Sequence, residues 1–163
     1  MRKIILTFML GIFAYTANAQ FSAGATFGLP TGDADVAYTF ALGIEVNYMF
    51  ESESDFAFGV ASGYHTYFGD TLDILGIEAE VDNASFLPLA GAVRYAVSEK
   101  FSLGGDLGYA VGLAPDGNDG GFYSRAMVAY SVGENTSINL AYTSVSVDGG
   151  TISNIGLGIM FGL

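Results

Sequence analysis

The chain has 163 residues, 51% of them hydrophobic and only 13% charged, with no cysteine and a formal net charge of −12. These values exclude a disulfide scaffold, and the negative charge excludes a nucleic-acid partner or a basic patch for anionic headgroups. So apolar a composition, without one long apolar run beyond the N-terminus, points to apolar residues spread over alternate positions.

Residues 1–19 carry the marks of a cleaved signal peptide. Met1-Arg2-Lys3 is basic, residues 4–15 are almost wholly apolar, and Ala17 and Ala19 are small residues at the positions a signal peptidase reads. The apolar run is short of the ~20 residues a membrane helix needs. No cysteine lies at the cleavage site, so lipid attachment there is not expected. The expected mature domain is residues 20–163. Taking the two positive charges of Arg2 and Lys3 from −12 leaves −14, with Arg94, Lys100 and Arg125 as the remaining basic residues.

From residue 20 onward the side chains alternate with period 2, the spacing of a β-strand. Residues 21–29 form a first expected strand, with Phe21, Phe27 and Leu29 on one face and Ser22, Gly24, Thr26 and Gly28 on the other. A Pro/Gly/Asp turn at 30–35 ends it. Residues 39–50 follow, placing Phe40, Leu42, Ile44, Val46, Tyr48 and Phe50 opposite Ala41, Gly43, Glu45, Asn47 and Met49. Residues 56–68 are the third strand, and the long acidic connection 69–84 has enough alternation at 71–81 to extend a strand beyond a membrane.

The clearest pattern is FLPLAGAVRYAVSEKFSLGGDLGYAVGL, residues 86–113, read as two strands joined at Ser98-Glu99-Lys100. Leu87, Leu89, Val93, Tyr95 and Val97, then Phe101, Leu103, Leu107, Tyr109, Val111 and Leu113, form a large apolar face. The opposite face is Ala, Gly and Ser with Arg94 and Asp106. Gly-rich strands are weak alone. They make sense where the small face lines a crowded barrel interior and the large face meets lipid. Pro88 is expected near the loop-end rim, where a missing donor is tolerable. Residues 122–132, 137–147 and 151–163 complete eight strands. Connections at one end are longer and more acidic than the turns at the other, with ten Asp and Glu by these boundaries.

Aromatics gather where interfacial girdles belong. Phe21, Tyr48, Phe50, Phe56, Tyr95, Phe101, Tyr130 and Phe161 are expected at the short-turn end. Tyr38, Phe40, Tyr67, Phe68, Tyr109, Phe122 and Tyr142 are expected at the loop end. The fold class is therefore an eight-stranded antiparallel, up-and-down transmembrane β-barrel. Residues 86–113, with GNDGGFYSRAMVAYSVGENTSINLAYTSV, residues 117–145, resemble the small outer-membrane β-barrel domain family of OmpA- and OmpX-type architecture. The resemblance implies an outer-membrane location, contact with outer-membrane lipid and passage through a barrel-assembly machinery. It implies no single activity. Barrels of this kind commonly end on an aromatic residue, whereas this sequence ends Phe161-Gly162-Leu163.

Four charged residues fall on the inward face: Glu45, Arg94, Asp106 and Arg125. If Val97 pairs with Phe101, Gly104 lies opposite Arg94 and Asp106 is its diagonal neighbour, ~7–8 Å away and within reach of an arginine. Two acids and two bases predict a neutral network that fills the narrow lumen. A gated pathway or proton relay is the competing reading. His65 is the single histidine, and Ser62 has the opposite parity, so no nucleophile–base pair is expected there. Asp116, Asn118 and Asp119 could supply oxygen ligands to calcium, but complete no known calcium loop. No catalytic residue, cofactor or metal site is expected.

The sequence thus predicts a non-enzymatic barrel that anchors and presents acidic external loops for envelope integrity, surface contact or binding, an extracellular partner being one use of them. A narrow channel for small solutes and a soluble lipocalin-like barrel are the alternatives. The latter would need its large apolar residues inside.

Overall fold

The computed structural model describes residues 19–50, 54–74 and 77–163. The expected signal segment, apart from Ala19, lies outside them. Ten strands occur among the described residues: β1 (Ala19–Thr31), β2 (Tyr38–Phe50), β3 (Phe56–Gly69), β4 (Thr71–Ile74), β5 (Ile77–Glu80), β6 (Ala84–Ala96), β7 (Phe101–Ala114), β8 (Gly120–Ser131), β9 (Thr136–Val147) and β10 (Gly150–Gly162). Eight of them close a barrel in the order β1-β10-β9-β8-β7-β6-β3-β2, every neighbouring pair antiparallel. Closure is made by β1 on β10, from Ser22 opposite Gly162 to Thr31 opposite Ser153. A closed ring leaves no strand edge unpaired, which a backbone in hydrocarbon requires.

The period-2 pattern sets the faces. Leu42, Ile44, Val60, Leu89, Leu107, Leu157 and Ile159 stand on the outside, Leu157 still 65% exposed. Inside are Ala41, Glu45, Asn47, Ala61, Ala90, Ala92, Asp106, Ala110, Arg125, Ala129, Asn139, Ala141, Thr143 and Met160. Large apolar side chains out and small or polar ones in is the arrangement of a membrane barrel, and the reverse of a soluble barrel with an apolar ligand cavity. So continuous an apolar exterior far exceeds the patches a water-soluble monomer shows. The lipocalin-like alternative is overturned by this assignment of faces.

The exterior rings stack at both ends of the belt. Phe40 lies 6.1 Å from Phe27 and 4.5 Å from Phe68 at the loop end, and Phe56 lies 4.5 Å from Tyr95 at the turn end. Two rings expected in the loop-end girdle are elsewhere. Tyr67 points into the lumen and is wholly buried, and Tyr38 packs against it there. Tyr67 shares the inward parity of His65, whereas Tyr38 has the outward parity of Phe40 and is turned inward by the irregularity between Tyr38 and Phe40.

The asymmetry of connections holds for two of the four at the loop end, since the five residues between β7 and β8 only equal the five between β2 and β3. At the loop end, β1–β2 carries a short 3-10 turn at Gly32–Ala34, β3–β6 carries a separate two-stranded hairpin of β4 and β5, and β7–β8 is a five-residue loop. The β9–β10 turn is only Asp148-Gly149, with Gly149 at φ 92°, a left-handed geometry that suits glycine. Residues 71–74 and 77–80 therefore form their own sheet and do not lengthen a barrel strand. Pro88 sits four residues inside β6, not at its rim. The β3–β6 ladder is interrupted between Ser62–Leu89 and His65–Phe86, where proline has no N–H to donate. The Ser62 hydroxyl donates to the Pro88 carbonyl at 2.8 Å across this gap.

Candidate functional site

Pairing fixes the charged residues before any side chain is considered. Val97 N–H donates to the Phe101 carbonyl at 2.9 Å, which sets Arg94 opposite Gly104 and Ala92 opposite Asp106. On the next strand, Arg125 lies directly opposite Asp106. Arg94 Nη1 donates to Asp106 Oδ1 at 2.5 Å, and also to the Val93 and Gly105 carbonyls. Arg125 Nη1 donates to Glu45 Oε2 at 2.5 Å and lies 3.8 Å from Asp106 Oδ2, while Nη2 donates to Asn139 Oδ1 at 3.1 Å.

The four charges make one chain of contacts, Arg94–Asp106–Arg125–Glu45. Its last link spans the barrel. β2 and β8 are four strands apart in either direction around the ring, so the Glu45–Arg125 pair is a bar across the lumen. Glu45, Asp106 and Arg125 are each at most 5% exposed. Ion pairs so far from water repay their desolvation only when close and hydrogen-bonded. Glycine makes room for them: a Cβ at Gly104 would meet Arg94 Cδ at 2.7 Å and Met127 Cγ at 2.8 Å.

His65 joins this layer, its Nε2 3.7 Å from Glu45 Oε1 and its ring edge-on to Tyr123 at 6.3 Å. Ser62 is engaged with Pro88, as its parity requires, so the two do not form a nucleophile–base pair.

Beyond the charges, toward the loop end, lies an aromatic plug that sequence reasoning missed. Tyr67, Phe86, Tyr123 and Val145 are buried inside the barrel. Tyr67 meets Phe86 edge-on at 6.0 Å, and its hydroxyl accepts from Asn154 Nδ2 at 2.6 Å, tying β3 to β10. Parity carried the signal, since Tyr123 shares the parity of Arg125, and Phe86 that of Ala90 and Arg94.

Two larger cavities flank these layers. A vestibule of about 400 Å³ opens at the short-turn end, with Arg94, Asn47, Met49, Met127 and Met160 among its walls. A cup of about 190 Å³ lies at the loop end, between β2, β6, β10, the β7–β8 loop and the β9–β10 turn. Between them, beside Glu45, His65 and Arg125, are voids of only about 10 Å³ each. That is room for about one water apiece.

The three oxygen-bearing residues of the β7–β8 loop serve different ends. Asn118 braces the loop: its amide donates to the Ala114 carbonyl at 2.7 Å and accepts from Gly120 N–H at 3.1 Å. Asp119 offers its backbone carbonyl to the Tyr109 hydroxyl at 2.9 Å. Asp116 is exposed. The Asn118 oxygen is thus already engaged within the loop.

Comparison with known proteins places this architecture. A designed transmembrane β-barrel superposes with a TM-score of 0.56 at 15% identity, covering 88% of this chain and 95% of the design. The outer-membrane protein Ail of Yersinia pestis, in a phospholipid bilayer nanodisc, gives 0.59 at 16% identity, covering 90% of this chain and 100% of Ail. Neisserial surface protein A gives 0.50 at 14% identity over 89% of this chain and 97% of its own. No curated protein matches the sequence. The fold is that of the small outer-membrane barrels. A family profile described as "Putative MetA-pathway of phenol degradation" matches residues 1–152, and the chain belongs to that family.

Proposed function

We propose that the protein is a non-enzymatic outer-membrane barrel whose work is done at its surface and not through its lumen. The single observation that carries this reading is the filled interior, in which the Glu45–Arg125 bar and the Tyr67–Phe86–Tyr123 plug stand between the two cavities. Ions or solutes crossing the barrel would have to break a buried ion pair and displace several rings. On this reading the barrel inserts from the exported chain with the help of an assembly machinery, its apolar belt in lipid. The acidic loop end, with the β4–β5 hairpin, faces outward to meet a partner or divalent cations.

The family's description refers to phenol degradation. A sealed barrel would serve such a process by contact at the surface, not by conducting solute. Single-channel recording of the purified barrel in planar bilayers tests the reading. A flat baseline supports it, while discrete openings would favour the narrow-channel alternative.

A further inference from the structure

We propose that the void walled by Asn47, Asp106 and Arg125 is the binding site of one long-lived water molecule, held by all three side chains. Among the described residues, five buried side-chain atoms make no hydrogen bond to protein. Three of the five belong to this one wall: Asn47 Oδ1, Asp106 Oδ2 and Arg125 Nε. Their residues come from β2, β7 and β8, and none is more than 7% exposed. Bulk water therefore does not reach these atoms. A buried polar atom left unpaired is costly, and three of them around one space point to what fills it.

The chemistry of the wall selects the occupant. The void measures about 10 Å³, which admits one water and no larger solute. Arg125 Nε–H is a donor only, whereas the Asn47 and Asp106 oxygens are acceptors. One water accepts from Nε–H and donates to each oxygen, three bonds in all, as buried waters typically make. A metal cation would face the Arg125 guanidinium, which cannot ligate it. A halide would face the carboxyl groups of Glu45 and Asp106, which stand in the same wall.

The molecule completes the bar across the lumen. Arg125 Nη1 is held by Glu45 and Nη2 by Asn139. With the water on Nε, all three guanidinium nitrogens are fixed. The water also serves Asp106 Oδ2, which at 3.8 Å is too far from Arg125 Nη1 for a direct hydrogen bond. Through Asn47 it links β2 to β7 and β8, a second tie beside Glu45–Arg125. Asn47 lines the short-turn vestibule as well, so it is the partition between the bound molecule and open water.

The experiment is rotating-frame Overhauser NMR on the barrel extracted from the outer membrane into detergent micelles, isotope-labelled at its arginine nitrogens. Arg94 and Arg125 are the arginines of the described residues, and Arg94→Lys, by removing the other signal, identifies that of Arg125. The expected result is a dipolar cross-peak from the water resonance to Arg125 Nε–H. The cross-peak should be lost in Ala61→Val, because Ala61 lines the void and the added methyl groups occupy it. A crystal structure of the native barrel should show one density peak within about 3.2 Å of all three atoms. It needs no variant, so it decides should Ala61→Val fail to fold. Absence of the cross-peak in the native protein would overturn the proposal, as would an undiminished cross-peak in folded Ala61→Val. So would a crystal structure in which the three atoms bond directly to protein with no peak between them. Channel recordings report on conduction alone, so this site and the proposed function fail separately.

Discussion

Replacing Arg125 by methionine keeps most of the side-chain volume and removes the charge at the centre of the lumen. Glu45 then loses its arginine partner, bonded at 2.5 Å, and the wholly buried Asp106 loses a second positive charge 3.8 Å from its other oxygen. Breaking a buried pair by removing one member costs about 3–5 kcal/mol, because the other charge is stranded. Asp106 retains Arg94 at 2.5 Å, so the loss falls mainly on Glu45 and the lower part of that range applies. With a urea dependence of about 2 kcal/mol per molar, a loss of about 3 kcal/mol lowers the unfolding midpoint by about 1.5 M. The assay is urea unfolding of the barrel in lipid vesicles, followed by the loss of its folded gel mobility. Arg125→Met/Glu45→Gln should recover a large part of the loss, since no uncompensated charge is left on β2. An unchanged midpoint in the single variant, or a double variant no more stable than the single, would refute the bar as a stabilising pair.

Three further outcomes follow from the same structure. Arg94→Ala should lower stability by about 1.5–3 kcal/mol, the value of a charge-assisted hydrogen bond, and less than Arg125→Met, because Arg125 still stands beside Asp106; urea midpoints rank the two. Leu107→Arg, near the middle of β7 on the outer face and 61% exposed, should cost about 2–4 kcal/mol in lipid vesicles, where the same change on a water-facing surface would cost almost nothing. Asn118→Ala should raise the rate of protease cleavage within 115–119 and leave the barrel's unfolding midpoint unmoved, since the lost bonds only hold the loop to the strand ends at Ser85, Ala114 and Gly120.

Strand number, face parity and the Arg94–Asp106 diagonal were legible because each depends on sequence neighbours within one hairpin. Val97 opposite Phe101 fixes everything along β6 and β7. The Glu45–Arg125 bar was not legible as a contact. The two residues are 80 positions apart and meet only because eight strands close with β2 facing β8. Tyr38 and Tyr67 were read as girdle rings by their place near a strand end; parity would have corrected Tyr67, whereas Tyr38 is turned inward by a register shift that parity does not show. Tyr67 shares the inward parity of His65, and in a lumen lined by glycine and alanine there is room for a ring. Phe86 was passed over for the same reason, at the head of a strand whose apolar face begins at Leu87. The cup was beyond reading altogether, since its wall is built by two loops and the ends of five strands distant in sequence.

The most direct test of the account is the gel mobility of the protein from the outer-membrane fraction, run with and without boiling in detergent. The account predicts that all of the protein is in that fraction and that boiling shifts its mobility, as a closed barrel in lipid unfolds. A protein found in the soluble fraction, with the same mobility before and after boiling, would contradict the assignment of the large apolar face to lipid.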